Sequence, residues 1–272
     1  HVFPKSIFDA MAQNEVLQIL IFALFFGVAL RSLPADKAKL LSGPVDALVQ
    51  VMLKCTGYVM RFAPIGVFGA MASVITVQGF GILATYGKYL GSFYLALAAL
   101  WLVLISFGYL FLRNGVFTLL KTLREPFMIG FSTATSEAAY PKMLEQLGKF
   151  GISEKISGFV LPLGYSFNLD GSMMYTAFAS LFIAQAYNID MPLSQQLTML
   201  LVLMVSSKGI AGVPRASLVV VAAVLPMFHL PEAGILLLLG IDQFLDMGRT
   251  ATNVIGNGIA TAVIAKLEDG RR

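Results

Sequence analysis

Apolar positions fall into runs along the chain, and the runs change character near its middle. The first is Val16–Leu30. At about 15 residues it is short for a membrane span, which needs roughly 20, although Met11 and Ala12 can lengthen it. Leu33–Lys39 reads as a charged turn around Pro34. Pro44–Val77 is then a long helical stretch. Its Lys54 and Arg61 lie seven apart, hence on one face, where long basic side chains snorkel toward the cytoplasmic side. Arg61-Phe-Ala-Pro64 places a proline inside an apolar helix and predicts a kink. Tyr89–Leu112 is the cleanest span and ends at Arg113-Asn114-Gly115.

After Gly115 the runs are interrupted. Val116–Ile129 and Glu137–Leu147 are each too short to span, and Gly130–Glu137 between them is small and hydroxyl-rich. That pattern predicts a re-entrant hairpin, since non-helical backbone at membrane depth is tolerated only where protein or a cavity covers it. Glu154–Tyr187 is one span interrupted by Gly164–Ser172. The hairpin pattern recurs with arms Gln195–Val205 and Leu218–Leu225 around the tip Ser206–Ser217, which holds Gly209, Gly212 and Pro214. Glu232–Lys266 closes the series as a helix, followed by a charged tail. Two successive units of hairpin plus interrupted or polar helix are the sequence pattern of a transporter site built on repeats.

Composition sets the class. The 272 residues are 57% hydrophobic and 12% charged, with a mean hydropathy of +0.80. A soluble domain carries about 25% charged residues, so the chain is an integral membrane protein, and its helical runs make the expected fold class all-α. Its net charge of +4 suits loops near anionic lipid and gives no sign of nucleic-acid binding. The single cysteine, Cys55, rules out an internal disulfide and reads as a small packing residue. His229 reads as a loop residue, and no metal or catalytic cluster uses it. The chain opens at His1 on a short polar stretch and reads as the C-terminal part of a longer protein.

The chemistry concentrates in Gly240–Asn257. At about 100° per residue, Asp242, Asp246, Arg249, Thr250, Asn253 and Asn257 fall within an arc of roughly 100°. Phe244, Leu245, Met247, Ala251, Val254 and Ile255 cover the rest. Charges at bilayer depth cost about 2.5–3.5 kcal/mol each on insertion scales, and such residues mark substrate or ion paths. The plainer reading is an Asp246–Arg249 pair at i,i+3 that neutralises itself. In the interrupted span, Gly164 and Gly171 flank Asn168 and Asp170. Freed carbonyls, an amide and a carboxylate are hard oxygen ligands suited to an alkali cation. The plainer reading there is a surface loop with an Asx turn, which the apolar flanks oppose.

Four motifs together resemble the glutamate transporter family, the dicarboxylate/amino acid:cation symporters. They are Ser132-Thr-Ala-Thr-Ser136, Asn168-Leu-Asp-Gly171, Gly212-Val-Pro214 and Asp242…Asp246-Met-Gly-Arg249-Thr250…Asn253. The resemblance runs in order through essentially the whole chain. It implies a glutamate-transporter-like fold with two re-entrant hairpins and broken transmembrane helices, with further helices preceding residue 1. It also implies a multi-pass protein of the cell inner (plasma) membrane that works as a homotrimer by an elevator motion. Residues 1–115 would supply scaffold and trimerisation helices with one transport-domain helix, and 116–272 the transport core.

The resemblance further implies that the substrate is a small molecule, an acidic amino acid, moved in symport with sodium, protons or both. No cofactor is expected. Arg249 would take the substrate's side-chain carboxylate through a planar two-point contact, and Asp246 its ammonium. Thr250 and Asn253 would hold the α-carboxylate with Thr135, Ser136, Ser172 and the backbone of Gly212 and Val213. Gly164, Asn168, Asp170, Ser207, Asn253 and Asn257 would be sodium ligands. An acid at position 246 favours glutamate or aspartate over plain C4-dicarboxylates, the alternative within the family. Three departures matter. Ala134 stands where some relatives have arginine, with Lys208 as a candidate substitute. Asn257 stands where well-coupled sodium-dependent relatives have aspartate, and Arg215 where a small residue is common.

Other classes fit poorly. A channel needs a filter or pore-lining rings, and no such pattern is present. A membrane enzyme would have to use Ser136 with Glu137, or Ser206-Ser207-Lys208, without a histidine partner.

Overall fold

The computed structural model describes residues 6–12, 16–60, 79–207 and 216–269, with positions 65, 68, 69, 72, 73, 75 and 76. No strand occurs among the described residues. The chain divides into two compact units, His1–Gly79 and Phe80–Arg272.

The first unit contains α1 (Ile7–Ala12), α2 (Val16–Arg31) and α3 (Ala35–Met60). Helix α2 covers the first apolar run, and its Phe22 and Phe26, one turn apart, stack at 6.0 Å. The charged turn expected at Leu33–Lys39 is shorter than the sequence implies. Helix α3 begins at Ala35, and Pro34 caps its entry by accepting from the amide of Ala38 at 2.9 Å. Asp36 sits in the first turn, where the helix dipole favours an acid. Pro44 lies inside α3 rather than at its start. Cys55 is exposed, not packed inside this unit. Arg61 and the Pro64 kink lie outside the described residues.

The second unit is built around its last helix. It opens with α4 (Ile82–Leu112), the one helix among the described residues long and apolar enough to cross a membrane by itself. At 1.5 Å per residue its 31 residues span about 46 Å, so it can cross tilted. Tyr86, Tyr89, Phe93 and Leu97 face inward at helical spacing, while Leu95, Leu102, Val103 and Leu110 stay exposed. Apolar surface turned away from the protein over this length belongs against lipid.

The first hairpin has a split ascending arm, α5 (Gly115–Thr122) and α6 (Arg124–Thr133), and a descending arm α7 (Ser136–Phe150). The break expected over Gly130–Glu137 narrows to Ala134–Thr135. Ala134 takes a left-handed backbone with φ 52° and Thr135 an extended one. Small residues keep the helical pattern up to that point, and two residues suffice to reverse the chain. The interrupted span behaves in the same way. It consists of α8 (Glu154–Phe167) and α9 (Asp170–Ala186), parted only by Asn168 and Leu169. The second hairpin has arms α10 (Leu193–Ser206) and α11 (Ala216–Val224), with a 3₁₀ turn at Leu225–Phe228. Its tip, residues 208–215, lies outside the described residues. His229 sits in a left-handed turn, as a loop residue should.

The closing segment is itself broken. A 3₁₀ turn (Glu232–Gly234) and α12 (Ile235–Leu239) lead through Gly240–Ile241 into α13 (Asp242–Asp269). Helix α13 packs against α4, α6, α7, α8 and α9. From Arg249 to Ile259 every residue is buried. The polar stripe therefore lies on the central helix of the unit, and from Ala251 to Ile259 its apolar back is covered by other helices, while Phe244 nearer its start stays exposed. Val254, Ile255 and Ile259 join Leu119, Leu123, Met143, Leu147 and Leu161 in one core.

Candidate functional site

The break between α8 and α9 is the origin of the site. A helix start leaves backbone N–H groups without intrahelical partners. At α9 these are met by a side chain from another helix. Asn253 Oδ1 accepts from the amides of Gly171 at 2.9 Å and Ser172 at 3.4 Å, and Asn253 Nδ2 donates to Ser172 Oγ at 3.0 Å. Gly171 is obligatory at this contact. A Cβ there would collide with the carbonyl oxygen of Arg249 and lie 3.0 Å from Thr252 Cβ. The interrupted helix and the striped helix thus meet backbone to backbone.

Above this contact lies a charged group. Asp246 is 1% exposed and Arg249 2%, and the two form an ion pair through Oδ1 and Nε. Arg249 Nη1 also donates to Ser172 Oγ at 3.2 Å and to Ser217 Oγ at 3.1 Å. The guanidinium is thereby shared between α13, α9 and the second hairpin. One turn earlier Asp242, fully buried, accepts from Tyr175 Oη at 2.5 Å. The self-neutralising pair read from the i,i+3 spacing is therefore present. The residues expected to read a carboxylate and an ammonium hold one another, with serine hydroxyls around them.

Below the contact lies an oxygen-rich group. Asn168 Nδ2 donates to Asn257 Oδ1 at 3.2 Å. A Cβ at Gly164 would strike Asn257 Oδ1, and one at Gly256 would strike Asp170 Oδ2. Gly164, Asn168, Asp170 and Asn257, four of the six residues expected to hold a cation, thus lie together, while Asn253 sits at the contact above, on the amides of Gly171 and Ser172. The sixth, Ser207, donates to Met204 O of its own helix at 2.8 Å. The side-chain donors are one carboxylate and amide oxygens, hard oxygen ligands that suit an alkali ion, while the Gly164 carbonyl accepts from the amide of Asn168 at 2.8 Å. No cluster of three or more His, Cys, Asp or Glu that could hold a transition metal occurs among the described residues.

The first hairpin reaches the same helix. A Cβ at Gly130 would lie 3.0 Å from Val254 Cγ2 and 3.4 Å from Thr250 Cγ2. Ser136 is buried at the start of α7, beside the half-buried Thr135. Thr250 Oγ1 and Asn257 Nδ2 are buried without a hydrogen-bond partner among the described residues. Gly212 and Val213, expected to contribute backbone, lie outside the described residues, as do Lys208 and Arg215.

Two residues of the site escape a reading of the sequence. Ser217 ends the second hairpin's tip, and only its approach to Arg249 singles it out. Tyr175 follows Ser172 by one helical turn, so the same buried face of α9 carries both. That spacing was the available signal.

Residues 1–267 match the family model described as the sodium:dicarboxylate symporter family.

Proposed function

We propose, from the premise that the chain belongs to the sodium:dicarboxylate symporter family, that it carries acidic amino acids across the membrane in symport with sodium, protons or both. A member of this family is a membrane transporter of small molecules, not an enzyme. The finer reading rests on one observation, the buried Asp246–Arg249 pair ringed by Ser172, Ser217 and Asn253. An acidic amino acid carries one ammonium and two carboxylates. It can replace both halves of that pair at once, its carboxylate taking Arg249 and its ammonium taking Asp246. Neither buried charge is then left alone, which would cost about 3–5 kcal/mol.

Thr250, Asn253, Ser136, Thr135, Ser172 and the backbone of Gly212 and Val213 hold the second carboxylate in this scheme. The coupling cation is cargo, and Gly164, Asn168, Asp170, Asn253 and Asn257 receive it, with Ser207 as a further ligand. Because Asn257 brings no formal charge, the proton is the second candidate for coupling. The protein works as a homotrimer in the inner (plasma) membrane, crossing it several times, with an elevator motion of the core. Residues 116–272 form that core and 1–115 the scaffold, apart from one helix that travels with the core. The packing of α4 on α13 supports α4 as that helix.

The family's dicarboxylate members supply the second reading, since Arg249 and the hydroxyls suit succinate while Asp246 opposes it. Labelled aspartate uptake into proteoliposomes, competed by glutamate and by succinate with and without sodium, separates the two. Competition by glutamate but not succinate is expected. Stronger competition by succinate overturns the amino acid assignment.

A further inference from the structure

The turn that carries Arg249 and Thr250 is gripped from both sides. On the front, Gly171 of α9 abuts the carbonyl of Arg249. On the back, α4 presses so close that a Cβ at Gly248 would lie 2.9 Å from Leu97 Cδ1 and 3.0 Å from Tyr94 Cε1. At this back contact stands Trp101, the sole tryptophan of the sequence. Its indole N–H donates to Thr252 Oγ1 at 2.9 Å, and Thr252 Oγ1 donates in turn to the carbonyl of Gly248 at 2.8 Å. Thr252 is fully buried. The relay therefore runs from α4 through one hydroxyl into the backbone of the substrate-facing turn.

Trp101 has a second attachment. Its ring meets Phe127 of the first hairpin edge to face at 5.5 Å, and Phe127 stacks on Phe131 at 6.0 Å. A cavity of about 210 Å³ lies between these rings and the back of α13, bounded by Gly248, Ala251 and Thr252. On that side the indole N–H bond to Thr252 fixes which way the ring turns. A hydroxyl bonded to the carbonyl four residues back bends a helix slightly, so the state of Thr252 adjusts the angle at which the next turn presents its side chains.

We propose that Trp101 is a positioning residue: through Thr252 and the Gly248 carbonyl it holds the Arg249–Asn253 turn in register with the first hairpin. The proposal rests on the symporter reading, and its test keeps the two apart. Wild type, Trp101→Phe, Thr252→Val and Thr252→Ser are reconstituted, and KM and maximal rate for aspartate uptake are measured. Trp101→Phe keeps the aromatic packing and loses the donor. Thr252→Val keeps the shape and loses the acceptor. Each is expected to raise KM about three- to tenfold, the range of one buried hydrogen bond, with little change in maximal rate. The double variant should be no worse than either single one, and Thr252→Ser should restore the wild-type KM.

Tryptophan emission supplies an independent readout, to which Trp101 is the only contributor within this sequence. Thr252→Val should shift it, and in wild type it should respond saturably to substrate near the KM. Unchanged KM in both single variants, or additive losses in the double variant, overturns the proposal. So does an equal fall in maximal rate with normal KM, which marks a merely structural role. If wild type takes up neither aspartate nor succinate, the functional reading fails by itself. Unshifted emission in Thr252→Val then overturns the relay independently, and a shift upholds it.

Discussion

Replacing Asp246 by serine separates the two halves of the buried pair. In the wild type Arg249 is held by Asp246 and by the hydroxyls of Ser172 and Ser217. After Asp246→Ser a guanidinium only 2% exposed keeps neutral partners alone. Losing one member of a buried pair costs about 3–5 kcal/mol, so the melting temperature of the substrate-free protein should fall clearly. Substrate binding changes by a separate amount. The ammonium of aspartate loses a charge-assisted contact worth about 1.5–3 kcal/mol. At 1.36 kcal/mol per decade this is roughly a 10- to 150-fold loss of affinity. Succinate has no ammonium to satisfy and now meets an uncompensated cation, so its affinity should rise. Calorimetry with both ligands, alongside thermal melting with each, reads these effects together. Succinate should rescue the melting temperature more than aspartate does. Aspartate affinity within threefold of wild type, with no gain for succinate, would refute the assignment of Asp246 to the ammonium.

Other expectations follow from neighbouring contacts. Gly171→Ala drives a methyl into the Arg249 carbonyl, a backbone atom that cannot rotate away. Overpacking of about 1–3 kcal/mol should lower the melting temperature and abolish high-affinity binding, and a variant with normal binding would show that the helices can separate freely. Asn257→Asp adds a formal charge beside Asn168 and should strengthen the sodium dependence of uptake at fixed pH, whereas an identical sodium titration would remove this position from the cation site. At the base of the first hairpin, outside the spanning segments, Lys142 and Lys149 donate to Glu145 at 2.8 and 2.6 Å and hold its carboxyl down at about 2. Its folded value lies below the ordinary carboxylate range. The cluster's contribution is therefore complete above that range and is lost as pH falls through about 2. Comparing melting of Glu145→Gln with wild type should show a small difference at pH 6 that shrinks in high salt and vanishes near pH 2.

Much of this protein is legible along the chain. Apolar runs and their interruptions mark the helices, because backbone at membrane depth must satisfy its own hydrogen bonds and can break only where other groups meet it. The polar arc of Asp242, Asp246, Arg249, Thr250, Asn253 and Asn257 follows from helical period alone. So does the possibility of the Asp246–Arg249 pair, since i,i+3 neighbours touch on any helix. The order of motifs then carries the family. The breaks are narrower than the sequence implies because small hydroxyl-rich residues tolerate both helix and turn, and local sequence does not say where the last helical bond forms. Tertiary structure alone decided that the first hairpin turns over just Ala134–Thr135 and that the interrupted span breaks over just Asn168–Leu169. It alone brought Asn253 onto the open end of α9, 82 positions away in sequence for Gly171, and Ser217 onto Arg249. Trp101 lies 151 positions from Thr252, and no periodicity links them. Such pairings depend on which helix faces pack together, and that is set by the fit of side-chain shapes and close-approach glycines across separate elements, information no single stretch contains.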